Sequence, residues 1–370
     1  MLMLAEHLVD DLSSVSALRR TCKHMNGLIS TYETSLVKAN LAMHPDPLLV
    51  SAYGTALCSA THEREVLAPN SFAVMEEYNR RSKRIDVLLQ PGQPLNWSID
   101  LTVSFRMLPP AERTALEQGL RRACRLADRL ADCVGDASVQ RSRQTHKKKK
   151  FQRCLNHHTA AGPEEISPML VEAVLGNHKK DRGLSAQGNH STNYSTHPST
   201  PQDRPAERHD NSPESVARSA HMMQLELVRS LSNLDLAYLH TLLCLAVIAY
   251  KYHCPAFAAD PNADDRELAF KEVILRQGTL ALWAVLRPIT SGVNAAAGGG
   301  NLNYLTALGR FSEQSMRTIV DEMHAWENNV EGTLPGLWMT LLQTFAQKAN
   351  RPISRVGVDM DMVVLGDVFR

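Results

Sequence analysis

Aromatic residues make up only 5% of the 370-residue chain, so a core built from it must rest on Leu, Ala, Val and Met. Charge of one sign is missing too. Lys plus Arg totals 40 and Asp plus Glu 39, a balance that argues against a general polyanion binder, which carries an excess of positive charge. No Cys-x-x-Cys occurs among the seven cysteines, and their number is odd and their spacing irregular, so a secreted disulfide framework is not expected. A reducing compartment, nuclear or cytoplasmic, fits better. No apolar run reaches the ~18 residues of a membrane span. The longest, Leu236 to Tyr250, contains His240 and reads as a buried helix. The opening residues carry no basic leader and no small-residue cleavage site, so no secretory signal is expected.

The constellations that carry chemistry are also absent. No Gly-x-Ser-x-Gly elbow is present. The Ala-Gly run at 295 to 300 lacks the Lys-Ser/Thr of a phosphate loop and reads as a flexible turn. Cys154, His157 and His158 form half of a zinc-like spacing with no second half. His240 and Cys244 lie one helical turn apart in apolar surroundings without an interleaved carboxylate, which suits packing better than metal binding. Asp359 and Asp361 have no basic or His partner nearby and fit a helix cap or a surface strand. No catalytic residue, metal or cofactor is expected.

What the sequence does have is helical periodicity. Leu116, Leu120, Ala123, Ala127, Leu130 and Val134 recur at three- and four-residue spacing behind the prolines at 109 and 110. Ser215 to Tyr252 reads as one long helix, or two with a break near Asn233, and Leu236 to Tyr250 is apolar nearly all round. Asp264 to Leu286 is a further helix ended by Pro288. Leu302 to Asn328 and Leu337 to Ala349 follow. Trp97 to Leu108 alternates like a strand yet also fits a helix, and without a partner strand a helix is expected. The fold expected is therefore all-α and irregular.

Between the helical flanks the composition changes. Residues 135 to 219 carry 13 basic against 9 acidic residues and, from Gly183 on, are rich in Ser, Thr, Asn, His, Gln and Pro. Such a segment buries too little apolar surface to offset its ordering entropy. We expect a disordered linker over 135–219, flanked by helical lobes at 42–134 and 220–370 that pack together. Within it, Arg141 to Arg153 holds seven basic residues in thirteen and no acid, with Lys147, Lys148, Lys149 and Lys150 at its centre. That run reads as a nuclear-localisation signal. With Phe151 its only aromatic, nothing in it supports base stacking.

Residues 1–41 carry the most specific pattern. Leu4, Leu8 and Leu12 form one helix stripe, and Val15, Leu18, Cys22, Met25 and Leu28 or Ile29 form the next. Ser13 and Ser14 offer N-caps, and a third short helix is expected from about Glu33 to Leu41. The segment resembles the F-box, most closely that of fungal proteins. The first helix of that family reads Ile-x-x-x-Leu, matched by Leu4 and Leu8. The second is matched by Val15, Leu18, Thr21, Cys22, Lys23, Met25 and Asn26. The Leu-Pro and acidic residue that open the family's motif have no counterpart ahead of Leu4, and Met25 stands where an aromatic is common.

The resemblance covers about 40 residues and implies an interaction function. The helices would dock, through Leu4, Leu8, Leu12, Val15, Leu18, Cys22 and Met25, on the Skp-type adaptor of a cullin ubiquitin ligase, and the remaining chain would select a protein substrate. A helical nuclear regulatory protein, of the transcription-regulator kind, is the alternative. Neither reading calls for a membrane or a nucleic acid.

Overall fold

The computed structural model describes residues 12–43, 57–58, 66–67, 70–160, 213–253, 263–290, 316–326, 328, 330 and 333–370. The fold is all-α. Two helices, α1 (Leu12–Thr21) and α2 (Lys23–Met43), open the described chain. A two-residue antiparallel pair follows, β1 (Leu57–Cys58) with β2 (Val66–Leu67), in which Leu57 faces Leu67. Then come α3 (Phe72–Leu88), α4 (Pro94–Leu101), α5 (Val103–Arg106) and α6 (Pro110–Ala160). The second part holds α7 (Pro213–Ser230), α8 (Asn233–His253), α9 (Ala263–Gln277), α10 (Thr279–Thr290) and a helix over 316–326, α11. It ends with α12 (Leu337–Ala349), a 3-10 turn at Ile353–Arg355, and α13 (Val356–Val368).

The chain divides into two compact units, one of Met1–Val139 with Val216–Arg370 and one of Gln140–Ser215. Within the first, both flanks contribute to one core rather than forming a core each. It runs from Ile85, Leu95, Leu116 and Leu130 to Leu225, Phe270, Leu282, Phe345 and Val364. Its axis is α8, where Leu236, Leu239, Leu242 and Ala246 have no exposed surface. The stretch Asn233–Tyr252 would be long and apolar enough for a membrane span (mean hydropathy 1.4), but 72% of it is buried in protein. Helices α4, α9, α10, α12 and α13 surround it. A second cluster joins α1 and α2 to α3 through Val15, Ile29, Leu36, Val37, Phe72, Val74, Met75 and Tyr78.

Several boundaries correct the sequence reading. Helix α6 does not stop at residue 134 but runs to Ala160, so 135–160 is helical backbone and not linker. Apart from Gly135, the stretch through Arg153 is free of Gly and Pro and rich in good helix formers, and the next proline is Pro163. At the other end α7 starts at Pro213, where a first-turn proline is tolerated, and claims 213–219. The linker residues 161–212 lie outside the described chain.

The expected helix 264–286 is two helices. Gly278 breaks it with φ +70°, a left-handed conformation that suits glycine. Pro288 falls inside the last turn of α10 and not at its end. At the N-terminus the break falls at Cys22, and a single helix, α2, replaces the expected end of the second helix and all of the third. Trp97–Leu108 is helical, as α4 and α5, and Asp359 and Asp361 sit in α13.

Candidate protein-interaction surface

The N-terminal hairpin is held by polar contacts across its bend. Arg19 Nε donates to Asn26 Oδ1 at 3.1 Å and Arg19 Nη2 to Ser30 Oγ at 3.2 Å. Thr21 Oγ1 donates back to the Leu18 carbonyl, ending α1, and the Met25 N–H donates to Cys22 Sγ, starting α2. Glu33 Oε1 accepts from the Phe72 N–H at 2.7 Å, which fastens α2 to the first turn of α3.

This frame sorts the motif residues by direction. Val15 is 5% exposed and belongs to the chain's own second cluster, with Leu18 half-buried against it. These two face inward, contrary to the expectation that they line a docking surface, because Phe72, Met75 and Tyr78 of α3 supply the apolar cover that a partner was expected to provide. Cys22 is exposed at the bend, together with Thr21, Lys23, His24 and Asn26, and Met25 is half-buried. Leu12 lies in the first turn of α1. Leu4 and Leu8 lie outside the described residues. Lys147, Lys148, Lys149 and Lys150 lie on the helical backbone of α6.

The buried carboxylates of the body are all engaged. Asp132 takes a bidentate bond from Arg81, with N–O distances of 3.0 and 2.9 Å, and Glu77 accepts from the same guanidinium at 3.2 Å. Burial pushes the Asp132 carboxyl up to about 6, against the pull of Arg81. Asp128 accepts from the backbone N–H and the hydroxyl of Thr279. Glu272 accepts from the N–H groups of Leu337 and Trp338, at 2.8 and 2.9 Å, and from Arg276. Asp235 accepts from the Ser232 hydroxyl and pairs with Arg122. Asp128 and Glu272 each satisfy the unpaired N–H groups at the start of another helix, α10 and α12, so they act as helix caps supplied from a distance.

The His240–Cys244 pair is a packing feature. The His240 ring stacks on Trp338 with centroids 5.3 Å apart and planes 17° apart, and Cys244 Sγ lies 3.7 Å from Nε2. Lys271 Nζ sits 4.5 Å above the centroid of Trp338. Burial, with the Lys271 charge behind it, lowers the His240 pKa to about 4, so the imidazole is neutral at neutral pH. Among the described residues no three His, Cys, Asp or Glu side chains converge as metal ligands.

Sequence reasoning missed the apolar side chains that face solvent. Trp97 of α4 packs on Tyr252 of α8, ring centroids 3.9 Å apart, while Tyr252 stays 58% exposed. Leu101, one turn beyond Trp97, is exposed, and Val103 and Met107 follow at 80% and 79%. The signal was available in the helical reading of Trp97–Leu108. Its inward face needs only Leu95, Ile99 and Phe105, which leaves Leu101, Val103 and Met107 without a partner. No protein family, curated protein or solved structure matches the chain.

Proposed function

We propose that the chain is a non-catalytic protein-binding adaptor of the F-box-like kind. Its N-terminal helices engage a Skp-type adaptor of a cullin ubiquitin ligase, and its helical body receives a protein substrate. One contrast carries the reading. The buried carboxylates among the described residues are bound by a guanidinium, a hydroxyl or a helix N-terminus, while Trp97, Leu101, Val103, Met107 and Tyr252 stand in or next to solvent. Aromatic and aliphatic anchors outside the core suit association, not turnover. With Val15 and Leu18 turned inward, the surface left for the ligase adaptor comprises Cys22, Met25 and their exposed neighbours, with the more N-terminal leucines beside them.

Titration of the purified chain with a purified Skp-type adaptor tests the reading. Binding is expected to be weak, and to tighten when a Leu-Pro-acidic segment is restored ahead of Leu4. Leu8→Asp or Met25→Asp should remove it at an unchanged Tm, whereas Val15→Asp should lower the Tm. No binding, even with the restored segment, overturns the ubiquitin-ligase reading.

A further inference from the structure

Helix α13 is apolar on two opposite sides. Val356, Met360, Val364 and Val368, spaced by four, are buried against α8 and α12. On the other side stand Val358, Met362 and Phe369, exposed by 69%, 62% and 61%, with the half-buried Leu365 between the last two. Their spacing of four, three and four residues is that of the a and d positions of a heptad, the pattern of a helix that seats itself along another helix. An apolar helix is ordinarily covered on all sides, and this one is covered on one.

We propose that the outer face of α13 pairs with the same face of a second copy of this chain, antiparallel, about a two-fold axis. The register follows from the seam. With its centre between Met362 and Leu365, Val358 of one copy lies against Phe369 of the other, and Met362 against Leu365. The large ring thus meets a small branched side chain and the two mid-sized chains meet each other. Charge selects the same direction. Arg355 occupies the next seam position, so a parallel pair would set two guanidinium groups face to face in it. In the antiparallel pair Arg355 falls past the other helix's last seam residue, Phe369. There, too, Arg370 comes alongside Asp359 on the same flank, once at each end, and Asp361 lies level with the exposed Gly366. No like charges are opposed. Two helices of this length sit at the low end of specific interfaces, so the dimer dissociates on dilution.

Sedimentation velocity on the full chain over a wide concentration range is the first measurement. A rise in mass from 41.1 kDa toward twice that is expected. Met362→Asp should shift the midpoint to at least about tenfold higher concentration, and its Tm should not fall because Met362 is a surface residue. Thiol pairing then reads the direction, with Cys22 replaced by Ser throughout and the chain without added thiols as blank. A mixture of Val358→Cys and Phe369→Cys copies should form a disulfide-linked dimer. Val358→Cys alone should not, because the two Val358 positions lie about 16 Å apart along the axis. A monomer at every concentration, a dimer untouched by Met362→Asp, or cross-linking of Val358→Cys to itself would each overturn the proposal. So would binding of phosphatidylcholine vesicles by α13 in place of self-association.

Discussion

Asp128 caps a helix that begins 151 residues further along the chain, its carboxylate accepting from the Thr279 N–H at 2.7 Å and from the Thr279 hydroxyl at 2.8 and 2.9 Å. The group is buried, so its loss leaves buried donors unpaired as well as a cap missing. Asp128→Ala should lower the unfolding free energy by about 2–3 kcal/mol, read from urea midpoints. Asp128→Asn keeps an acceptor oxygen and should lose less. Equal losses for the two would mean that space filling, and not the cap, is what matters at this position.

Gly119 is the point where α6 meets α8. A Cβ there would lie 2.0 Å from Cε1 and 2.2 Å from Cζ of Tyr238. That ring is buried and its hydroxyl donates to Asp367 at 2.9 Å, so it has little freedom to give way. Gly119→Ala should cost about 1–3 kcal/mol. Adding Tyr238→Leu, which clears the space, should recover part of that loss in a double-mutant cycle. Additive effects would place the strain elsewhere.

His240 sets an acid limit on stability. Its folded pKa, about 4, lies below the ordinary 6.5. The unfolded chain therefore binds the proton more readily, and this residue's contribution is complete above pH 6.5 and is lost as the pH falls toward 4. The full loss is roughly 3 kcal/mol, at 1.36 kcal/mol for each unit of difference. The stability of His240→Gln, measured against wild type from pH 7 to pH 4, should show a difference that shrinks across that window. A constant difference would rule out His240 as its source.

The four lysines 147–150 predict nuclear import. Replacing all four by Ala should move a tagged chain from nucleus to cytosol in imaged cells, and an unchanged distribution would remove the signal.

Local pattern made much of this architecture legible. Leu337–Ala349 matches α12 at both ends, and the break before Asn233 separates α7 from α8 as its sequence suggests. What was not legible depends on distance. Periodicity places Val15 and Leu18 on one side of a helix but does not say that Phe72 and Tyr78 cover that side. Asp128 and Glu272 read as ordinary surface charges, because the helices they cap begin far away in sequence. The break at Gly278 depends on a backbone angle that a glycine permits without requiring. Leu101, Val103 and Met107 read as core because apolar residues usually are; only the short turn at Thr102 sets them outward.

Because the core of the first unit is assembled from two stretches of chain, neither stretch owns a finished interior. Leu116, Leu120 and Leu130 are matched by Tyr238, Leu242 and Phe270 from the other side of the gap. Folding must close a long loop before either set is repaid, an entropic toll that grows only slowly with loop length. Two separately expressed pieces, 1–160 and 213–370, should each be poorly soluble alone, yet reconstitute one particle when co-expressed. Shortening the segment that joins them should speed refolding while leaving the unfolding rate nearly unchanged, as expected when the meeting of the two pieces belongs to the folding nucleus.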